Sequence, residues 1–474
     1  MRSLSRRAFM ALGGGLLAQP QAAPNIVLIL CDDLGYGDVG VYFQGSKIPT
    51  PHMDRLARDG MRFTDAHSPS SVCTPTRYGV LTGRYCWRTS LKSGVGNGYS
   101  PALIEPGRDT IASFLKRTKG YKTGGFGKWH LGLGDQPKVD YAKEFHPSPN
   151  EFGFDEYFGI PASLDMPPYV FIENHRAVEP PTASIPDNGE VKRGPFWRGG
   201  PRSPSFQMED VLPSIVKRAC GFIEREKGPF FAYVPLPAPH TPWVPSKPFQ
   251  GKSKAGLYGD FVEEVDASIG QILASLERTG KAANTIVIVT SDNGAPWEER
   301  DSREAAGHWA NANWRGQKAD IQEAGHRVPF MIRWSGHIKA GGVSSQTICL
   351  TDIFASLVEL QGLRLPLNVA EDSISFAPAL RGRDRMPLRE AIVHHSAQGL
   401  FAIRQGDWKL VLGRGSGGFT APAKIEPKPG EPAVELYNLR DDPHEDRNVY
   451  DSHPQIVAKL TALLKRYQDS GRSR

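Results

Sequence analysis

The chain alternates between continuous apolar runs and amphipathic stretches. Residues 25–30, 230–234 and 285–290 are nearly continuous apolar runs, without the period-two alternation of a half-exposed strand. Such runs predict central strands of a parallel sheet, covered on both faces. Residues 209–227 predict a helix, and a second helix follows with an apolar stripe made of Val262, Val265, Ile269, Ile272 and Leu276. This order predicts an α/β fold.

The pattern changes near residue 385. Strand-like segments without crossover helices then predict an antiparallel sheet, at 392–395, 401–404, 408–412 and 434–437. A closing helix begins at Ser452-His453-Pro454 and has one apolar face. We predict three parts: an export signal at 1–23, a catalytic α/β domain at 24–385 and a small α+β subdomain at 386–474.

The first 23 residues predict a cleaved signal peptide. A twin-arginine pattern, Ser5-Arg6-Arg7-Ala8-Phe9, precedes a short apolar stretch that ends near Ala22-Ala23. About ten apolar residues are too few to span a bilayer, and no cysteine follows them to carry a lipid. We therefore expect a periplasmic or secreted protein, exported by the twin-arginine route. The alternative is a merely basic N-terminal segment.

The charge composition argues against a nucleic-acid-binding protein. The formal charge of +6 falls to about +3 without the three signal arginines, and no basic stripe of the nucleic-acid-binding kind is present. An odd number of cysteines leaves at least one thiol unpaired, although spacing does not tell whether the others form disulfides. They are Cys31, Cys73, Cys86, Cys220 and Cys349.

Acidic and amide side chains follow two of the predicted strands. Asp32 and Asp33 come after the first apolar run, and Asp292 and Asn293 follow the run at 285–290. Open α/β sheets place their sites beyond the carboxyl ends of strands. Joint use of both aspartates requires the chain to turn there, which the following glycines permit. Hard oxygen ligands without histidine favour Ca²⁺ or Mg²⁺ over Zn²⁺.

A short helix is predicted after Cys73. Because proline is tolerated only in the first turn of a helix, Pro75 leads us to expect that Thr74 caps a helix ending at Gly83. Residue 73 would then lie beside the positive end of this helix, with Arg77 one turn further as a bidentate donor. This arrangement suits an anion.

Further cationic and imidazole side chains occur in loops and strand ends. Lys128 and His130 are two residues apart in a strand-like segment, so they are expected on one face, where they suit a tetrahedral oxyanion. His240 lies in a proline-rich loop after the run at 230–234. A basic loop is interpreted as solvated, although it could line a substrate mouth; it contains Lys192, Arg193, Arg198 and Arg202.

Several motifs, in this order, resemble the signatures of the formylglycine-dependent sulfatases, arylsulfatase A-like members of the alkaline-phosphatase superfamily. They are Cys73-Thr74-Pro75-Thr76-Arg77, Gly127-Lys128-Trp129-His130, Gly159-Ile160-Pro161-Ala162-Ser163, Asp292-Asn293-Gly294, and Lys318 followed by Gly325-His326-Arg327-Val328-Pro329. The resemblance covers nearly the whole mature chain. It implies a large mixed, mostly parallel sheet flanked by helices, with a smaller C-terminal antiparallel sheet and helix.

The resemblance also implies a site. A maturation enzyme would oxidise Cys73 to formylglycine (3-oxoalanine), whose hydrate is the nucleophile. The implied ligands of Ca²⁺, with Mg²⁺ possible, are Asp32, Asp33, residue 73, Asp292 and Asn293. The implied catalytic and sulfate-binding residues are Arg77, Lys128, His130, Ser163, His240 and Lys318. In this scheme Asp292 is the base, Arg77 and His130 orient the nucleophile, and His240, with Lys318, protonates the leaving oxygen.

We therefore predict hydrolysis of a sulfate monoester, on a sugar or glycan. One alternative is a formylglycine-dependent phosphonate or phosphodiester hydrolase. Another is a non-catalytic sulfoglycan-binding protein, if Cys73 is not matured; the complete set of catalytic residues argues against it. The expected partners are a sulfated small molecule or saccharide and the maturation enzyme, without nucleic acid and without a stable membrane anchor.

Overall fold

The computed structural model describes residues 23–189, 193–383 and 386–474. The predicted signal, apart from residue 23, lies outside the described residues, as do Lys192 and the boundary residue 385. The division into two domains therefore stays a prediction. Within the described ranges, no helix combines the length and apolarity needed to cross a membrane. All five cysteines are free thiols.

The secondary structure follows the predicted order. In the described part of the chain, the strands are β1 (Asn25–Asp32), β2 (Met61–Phe63), β3 (Ala66–His67), β4 (Lys122–Lys128), β5 (Glu156–Ile160), β6 (Ile172–Glu173), β7 (Arg176–Ala177), β8 (Ala183–Ile185), β9 (Gly200–Arg202), β10 (Phe230–Pro239), β11 (Thr285–Ser291), β12 (Phe330–Arg333), β13 (Gly342–Ser344), β14 (Ile348–Cys349), β15 (Ile392–His395), β16 (Phe401–Gln405), β17 (Trp408–Val411) and β18 (Glu435–Asn438). The α-helices are α1 (Pro51–Asp59), α2 (Cys73–Thr82), α3 (Ile111–Lys119), α4 (Val211–Arg225), α5 (Gly256–Arg278), α6 (Glu299–Glu304), α7 (Glu323–His326), α8 (Asp352–Leu360), α9 (Ala377–Leu380) and α10 (Pro454–Asp469).

One large sheet has the strand order β13-β2-β12-β11-β1-β10-β4-β5-β6-β7. β1 runs parallel to both of its neighbours, so that Leu28 lies opposite Tyr233 of β10 and Ile288 of β11. β4 and β5 continue the parallel part, whereas β12 and β6 are antiparallel to their neighbours. The predicted mixed, mostly parallel sheet is confirmed.

Helices cover both faces of this sheet, which explains its continuous apolar strands. Leu28 belongs to one apolar cluster, which includes residues of α2, α3 and α8. Its neighbour Ile29 belongs to a second cluster, with residues of α1, α4 and α5. Successive side chains of β1 therefore enter opposite cores.

The C-terminal strands β15 to β18 form a separate antiparallel sheet, against which α10 packs. This prediction is also confirmed. A buried ionic network joins the small sheet to the segment between β2 and β3 and to α7. Arg404 donates to Asp65 at 2.9 and 3.0 Å, and Lys409 lies 3.2 Å from Glu323 of α7 and 2.7 Å from Glu445, which follows β18. Removing one member of such a buried pair costs about 3–5 kcal/mol, so the network fixes how the small sheet is seated.

Candidate active site

Two acidic segments meet beyond the carboxyl ends of β1 and β11. Asp32 is the last residue of β1, and the Asp292 amide donates to the Cys31 carbonyl at 3.0 Å. Asp33 has a left-handed backbone with φ of 65°, and its amide donates to Asp292 Oδ1 at 3.2 Å. The chain turns at Asp33 itself, ahead of the glycines that we expected to permit the turn, and carboxylate oxygens of Asp32 and Asp33 lie in one cluster.

The N-terminus of α2 differs from the prediction. Cys73 is the first helical residue, and Val72, with an extended backbone, is the N-cap. Thr74 does not cap the helix, because it already lies in the first turn, and its Oγ1 accepts a hydrogen bond from the Gly96 amide at 3.1 Å. Pro75 fits in that first turn, as expected.

The remainder of the α2 prediction is confirmed. Gly83 ends the helix with φ of 63°, and its amide donates to the Gly79 carbonyl. Cys73 is only 2% exposed. Burial raises the pKa of its thiol, although Lys128 and Lys318 oppose this shift. Residue 73 therefore lies inside the fold, at the positive end of a fully buried helix.

Arg77 is committed to protein partners. Its Nε and Nη2 donate to Asp292 Oδ2 at 3.1 and 2.7 Å, and its Nη1 donates to the Lys128 carbonyl at 3.0 Å. The bidentate partner of Arg77 is thus Asp292. Burial and Asp32 raise the pKa of Asp292 to about 7, against the opposing effect of Arg77.

Each of the two aspartates at β1 has a lysine partner. Lys128 Nζ donates to Asp32 Oδ2 at 2.6 Å, and Lys318 Nζ lies 2.7 and 2.8 Å from the two oxygens of Asp33. Burial opposes ionisation of Asp32, but Lys128 and other nearby cations hold the pKa of Asp32 well below its usual range. Burial likewise opposes the charge of Lys318, yet Asp33 raises the pKa of this lysine. Lys318 therefore remains charged.

The predicted ligand residues have unused oxygens of the kind that a hard cation binds. Asp32 Oδ1 and Asn293 Oδ1 are buried and accept no hydrogen bond, while Asn293 Nδ2 donates to Asp33 Oδ1 at 2.6 Å. Ligand atoms of Asp32, Cys73 and Asp292 lie within 4.8 Å of one another. The structure brings all five predicted ligand residues together, and the oxygens of Asp32, Asp33, Asp292 and Asn293 fit Ca²⁺ or Mg²⁺.

Contrary to the prediction from the two-residue spacing, His130 does not share a strand face with Lys128. β4 ends at Lys128, and His130 has a left-handed backbone with φ of 56°, so the shared strand face was wrong. His130 Nε2 donates to the Gly96 carbonyl at 2.8 Å, and its buried Nδ1 has no partner. Burial and the charge of Lys128 hold the pKa of His130 well below its usual range. Its imidazole is therefore neutral and presents a lone pair.

His240 presents one ring nitrogen to the acidic cluster. Its Nδ1 donates to the Thr241 carbonyl at 2.5 Å, and its Nε2 lies 3.7 Å from Asp33 Oδ2. Burial and Lys318 lower the pKa of His240. Ser163 is 2% exposed, and its hydroxyl has no partner within the protein.

One residue that the sequence did not single out also lies here. Asp165 Oδ1 is 4.0 Å from His240 Nδ1 and has no hydrogen-bond partner. Asp165 follows Ser163 by two positions in a loop without periodicity or a motif of its own. Its spacing from Ser163 was the only signal, and it is too weak to identify a site residue.

Buried lysines and carboxylates at the carboxyl edge of an open α/β sheet are typical of the class of enzymes that act on anionic esters. Within that class, the chain belongs to the sulfatase family, whose model, described as Sulfatase, matches residues 24–363. The protein is thus a sulfuric ester hydrolase.

Individual relatives agree with this assignment. The chain is 35% identical to an N-acetylgalactosamine-6-O-sulfatase of Bacteroides thetaiotaomicron, over 94% of this chain and 93% of that protein. It is 33% identical to human arylsulfatase A, over 98% of this chain and 90% of that protein. A solved structure described under the metabolism of multiple glycosaminoglycans by Bacteroides thetaiotaomicron superposes with a TM-score of 0.85 at 34% identity, covering 94% of this chain and 99% of that one.

Proposed function

We propose that this enzyme hydrolyses a sulfate ester of a saccharide, with N-acetylgalactosamine 6-sulfate as the first substrate to test. The observation that carries the proposal is the convergence of residue 73, Lys128, Lys318 and His240 around buried carboxylates. The N-acetylgalactosamine-6-O-sulfatase that matches nearly the full chain supports the choice of sugar.

Two groups beyond the twenty amino acids complete the proposed site. The unused oxygens of Asp32 and Asn293, with Asp33, Asp292 and residue 73, would hold Ca²⁺. When present, this cation and the hydrated aldehyde formed from Cys73 supply charge neutralisation and the nucleophile. Because Cys73 is buried, we propose that the maturation enzyme acts on the chain before it folds, and that export by the twin-arginine route follows.

The lysines would bind the sulfate. Each ammonium group is already held by a carboxylate, Lys128 by Asp32 and Lys318 by Asp33. Their positions are therefore fixed before substrate arrives, and their charges meet the developing negative charge without reorganisation. The unpartnered Ser163 hydroxyl is free to donate to a further sulfate oxygen.

Proton transfer would use the remaining side chains. Arg77 holds Asp292 Oδ2. Asp292 Oδ1, which also accepts from the Asp33 amide, would take a proton from the nucleophile, while His130 Nδ1 accepts from the same group and orients it. His240 Nε2 would donate to the leaving oxygen. Because the Nδ1 proton is fixed on the Thr241 carbonyl, Nε2 carries a proton only in the imidazolium form. Lys318 is the second candidate donor.

The test is a substrate comparison with the matured protein. We expect hydrolysis of 4-nitrophenyl sulfate and of N-acetylgalactosamine 6-sulfate, with much lower kcat/KM for bis(4-nitrophenyl) phosphate and for a phosphonate monoester. Faster hydrolysis of the phosphodiester or phosphonate than of both sulfates would contradict the proposal. Tight binding of sulfated sugar without turnover by protein shown to carry formylglycine would indicate the non-catalytic alternative.

A further inference from the structure

Asp165 carries a buried carboxylate oxygen that the protein does not use. The side chain is 6% exposed, and Oδ1 has no hydrogen-bond partner. Leaving a buried charged acceptor unpaired is unfavourable. Within an enzyme site, such an oxygen is suited to accept a hydrogen bond from substrate.

The rest of Asp165 is held rigidly. Its Oδ2 accepts from Arg198 Nη1, and its backbone carbonyl accepts from the Arg198 amide at 3.1 Å. The Tyr169 hydroxyl lies 3.0 Å from the same carbonyl and 2.5 Å from the Arg198 carbonyl. The side chain of Arg198 as a whole is 38% exposed. The pairing fixes the direction of Oδ1. Arg198, interpreted from the sequence as part of a solvated loop, therefore also supports a buried group.

Asp165 Oδ1 lies beside His240, the residue that would donate a proton to the leaving oxygen. Asp33 faces the Nε2 side of His240 at 3.7 Å, and Asp165 lies on the Nδ1 side at 4.0 Å. The latter distance is too long for a hydrogen bond, and Nδ1 already donates to the Thr241 carbonyl. Asp165 therefore does not orient His240 through its Nδ1 proton. The free oxygen instead lies next to the imidazole that would contact the leaving oxygen.

We propose that Asp165 is a specificity-determining residue whose Oδ1 accepts a hydrogen bond from a ring hydroxyl of the sulfated sugar. The occupant is the pyranose that carries the sulfate ester, because only that sugar lies beside His240 when the ester is in the site. This inference rests on the proposed function. A hydrogen bond between a hydroxyl and a buried carboxylate changes kcat/KM by about 10- to 100-fold.

Asp165→Asn tests this inference with little change in shape. Its amide oxygen would turn to Arg198, so an NH₂ donor would replace the acceptor at the Oδ1 position. We expect kcat/KM for N-acetylgalactosamine 6-sulfate to fall by about 10- to 100-fold. Hydrolysis of 4-nitrophenyl sulfate, which presents no ring hydroxyl, should change by less than about threefold. The matched control is Asp187→Asn, because Asp187 is an exposed aspartate that accepts from Gly199, next to Arg198.

Deoxy sugars identify the contact. For the wild type, removal of the contacted hydroxyl, either the 3-hydroxyl or the 4-hydroxyl of N-acetylgalactosamine 6-sulfate, should lower kcat/KM by about the same factor as the Asn substitution does. For the Asn variant, removal of the same hydroxyl should lower kcat/KM no further. Equal losses of the variant on the sugar and aryl substrates, or additive losses on both analogues, would overturn the subsite. Wild-type turnover of the two sulfates tests the proposed function separately. Wild-type activity on the aryl sulfate alone would refute the sugar subsite but leave the sulfatase assignment intact.

Discussion

Arg77 donates twice to a single oxygen of Asp292, at 3.1 Å from Nε and 2.7 Å from Nη2, and both side chains are fully buried. Its third contact, with the Lys128 carbonyl at 3.0 Å, joins α2 to the end of β4. Arg77 therefore connects the segments that carry residue 73, Lys128 and Asp292. Its structural role is to position these groups, because three of its N–H donors are committed to Asp292 and to the Lys128 carbonyl, and its Nη2 also lies 3.5 Å from Asp32 Oδ1.

The substitution Arg77→Lys should distinguish the positioning role of Arg77 from the effect of its positive charge. A lysine keeps the positive charge, but one ammonium group cannot make the same planar set of contacts. We expect kcat/KM for 4-nitrophenyl sulfate to fall about 10²-fold through misplacement of Asp292 and Lys128, with a lower Tm. Arg176→Lys, at a residue whose side chain is 69% exposed, is the control. Activity within twofold of wild type, about 0.4 kcal/mol, would show that charge alone suffices.

Residue 73 should be formylglycine in active protein. Mass spectrometry of the peptide from Ser71 to Arg77 measures this directly, because oxidation of the thiol to the aldehyde changes the peptide mass. Cys73→Ala should abolish turnover while leaving the Tm close to that of the unmodified wild type, because the change removes only one buried sulfur atom. Full activity with an intact thiol in every molecule would refute the proposed nucleophile.

Activity should require a hard divalent cation. Removal with a chelator should abolish hydrolysis, and Ca²⁺ should restore it, because the unused ligand atoms of Asp32 and Asn293 are oxygens. Asn293→Ala should raise the Ca²⁺ concentration needed for half-maximal activity. Asn438→Ala, at a less buried position in β18, is the control. Restoration by Zn²⁺ but not by Ca²⁺ would contradict the ligand assignment.

The sequence predicted the features that depend on local pattern and on strand order. Apolar runs identified β1, β10 and β11, and their carboxyl ends identified Asp32 and Asp292. Features that depend on distant segments were not predictable. Asp165 can be recognised as a site residue only from its contacts with Arg198 and His240, which are distant in the sequence and lie close to it in the folded chain. The Thr74 cap failed because the helix begins one residue earlier, at Cys73; the Thr74 hydroxyl instead accepts from the Gly96 amide, 22 residues away.

Buried histidines should make the protein acid-sensitive. Burial lowers the pKa of His395 to about 4, and it also lowers the pKa values of His67, His326 and His394. The unfolded chain takes up protons near pH 6.5, before the folded chain does. The neutral histidines therefore contribute their full stabilisation above pH 6.5. This stabilisation is lost as the pH falls toward the pKa values that the histidines have in the folded chain. Each histidine adds up to about 1.4 kcal/mol per pH unit in that window.

The measurement is the free energy of unfolding from pH 7.5 to 4.5. His395→Gln should lessen the pH slope by about 1.4 kcal/mol per unit, because glutamine does not titrate. His444→Gln, at an exposed position, is the control and should change the slope much less. An unchanged slope in the His395 variant would refute the contribution of this residue.

The proposed acid role of His240 depends on the leaving group. General acid catalysis typically contributes about 10²–10⁴-fold, and it matters most when the departing oxygen is strongly basic. A nitrophenolate leaves readily without a proton, whereas a sugar alkoxide does not. His240→Ala should therefore reduce kcat/KM for N-acetylgalactosamine 6-sulfate far more than for 4-nitrophenyl sulfate. Across aryl sulfates, the deficit should widen as the leaving-group pKa rises, whereas His146→Ala should follow the wild type.

If His240 only packs in its loop, all substrates would lose activity by a similar factor and the Tm would fall. A deficit independent of leaving-group pKa would exclude His240 as the acid and leave Lys318, whose ammonium group is held beside Asp33.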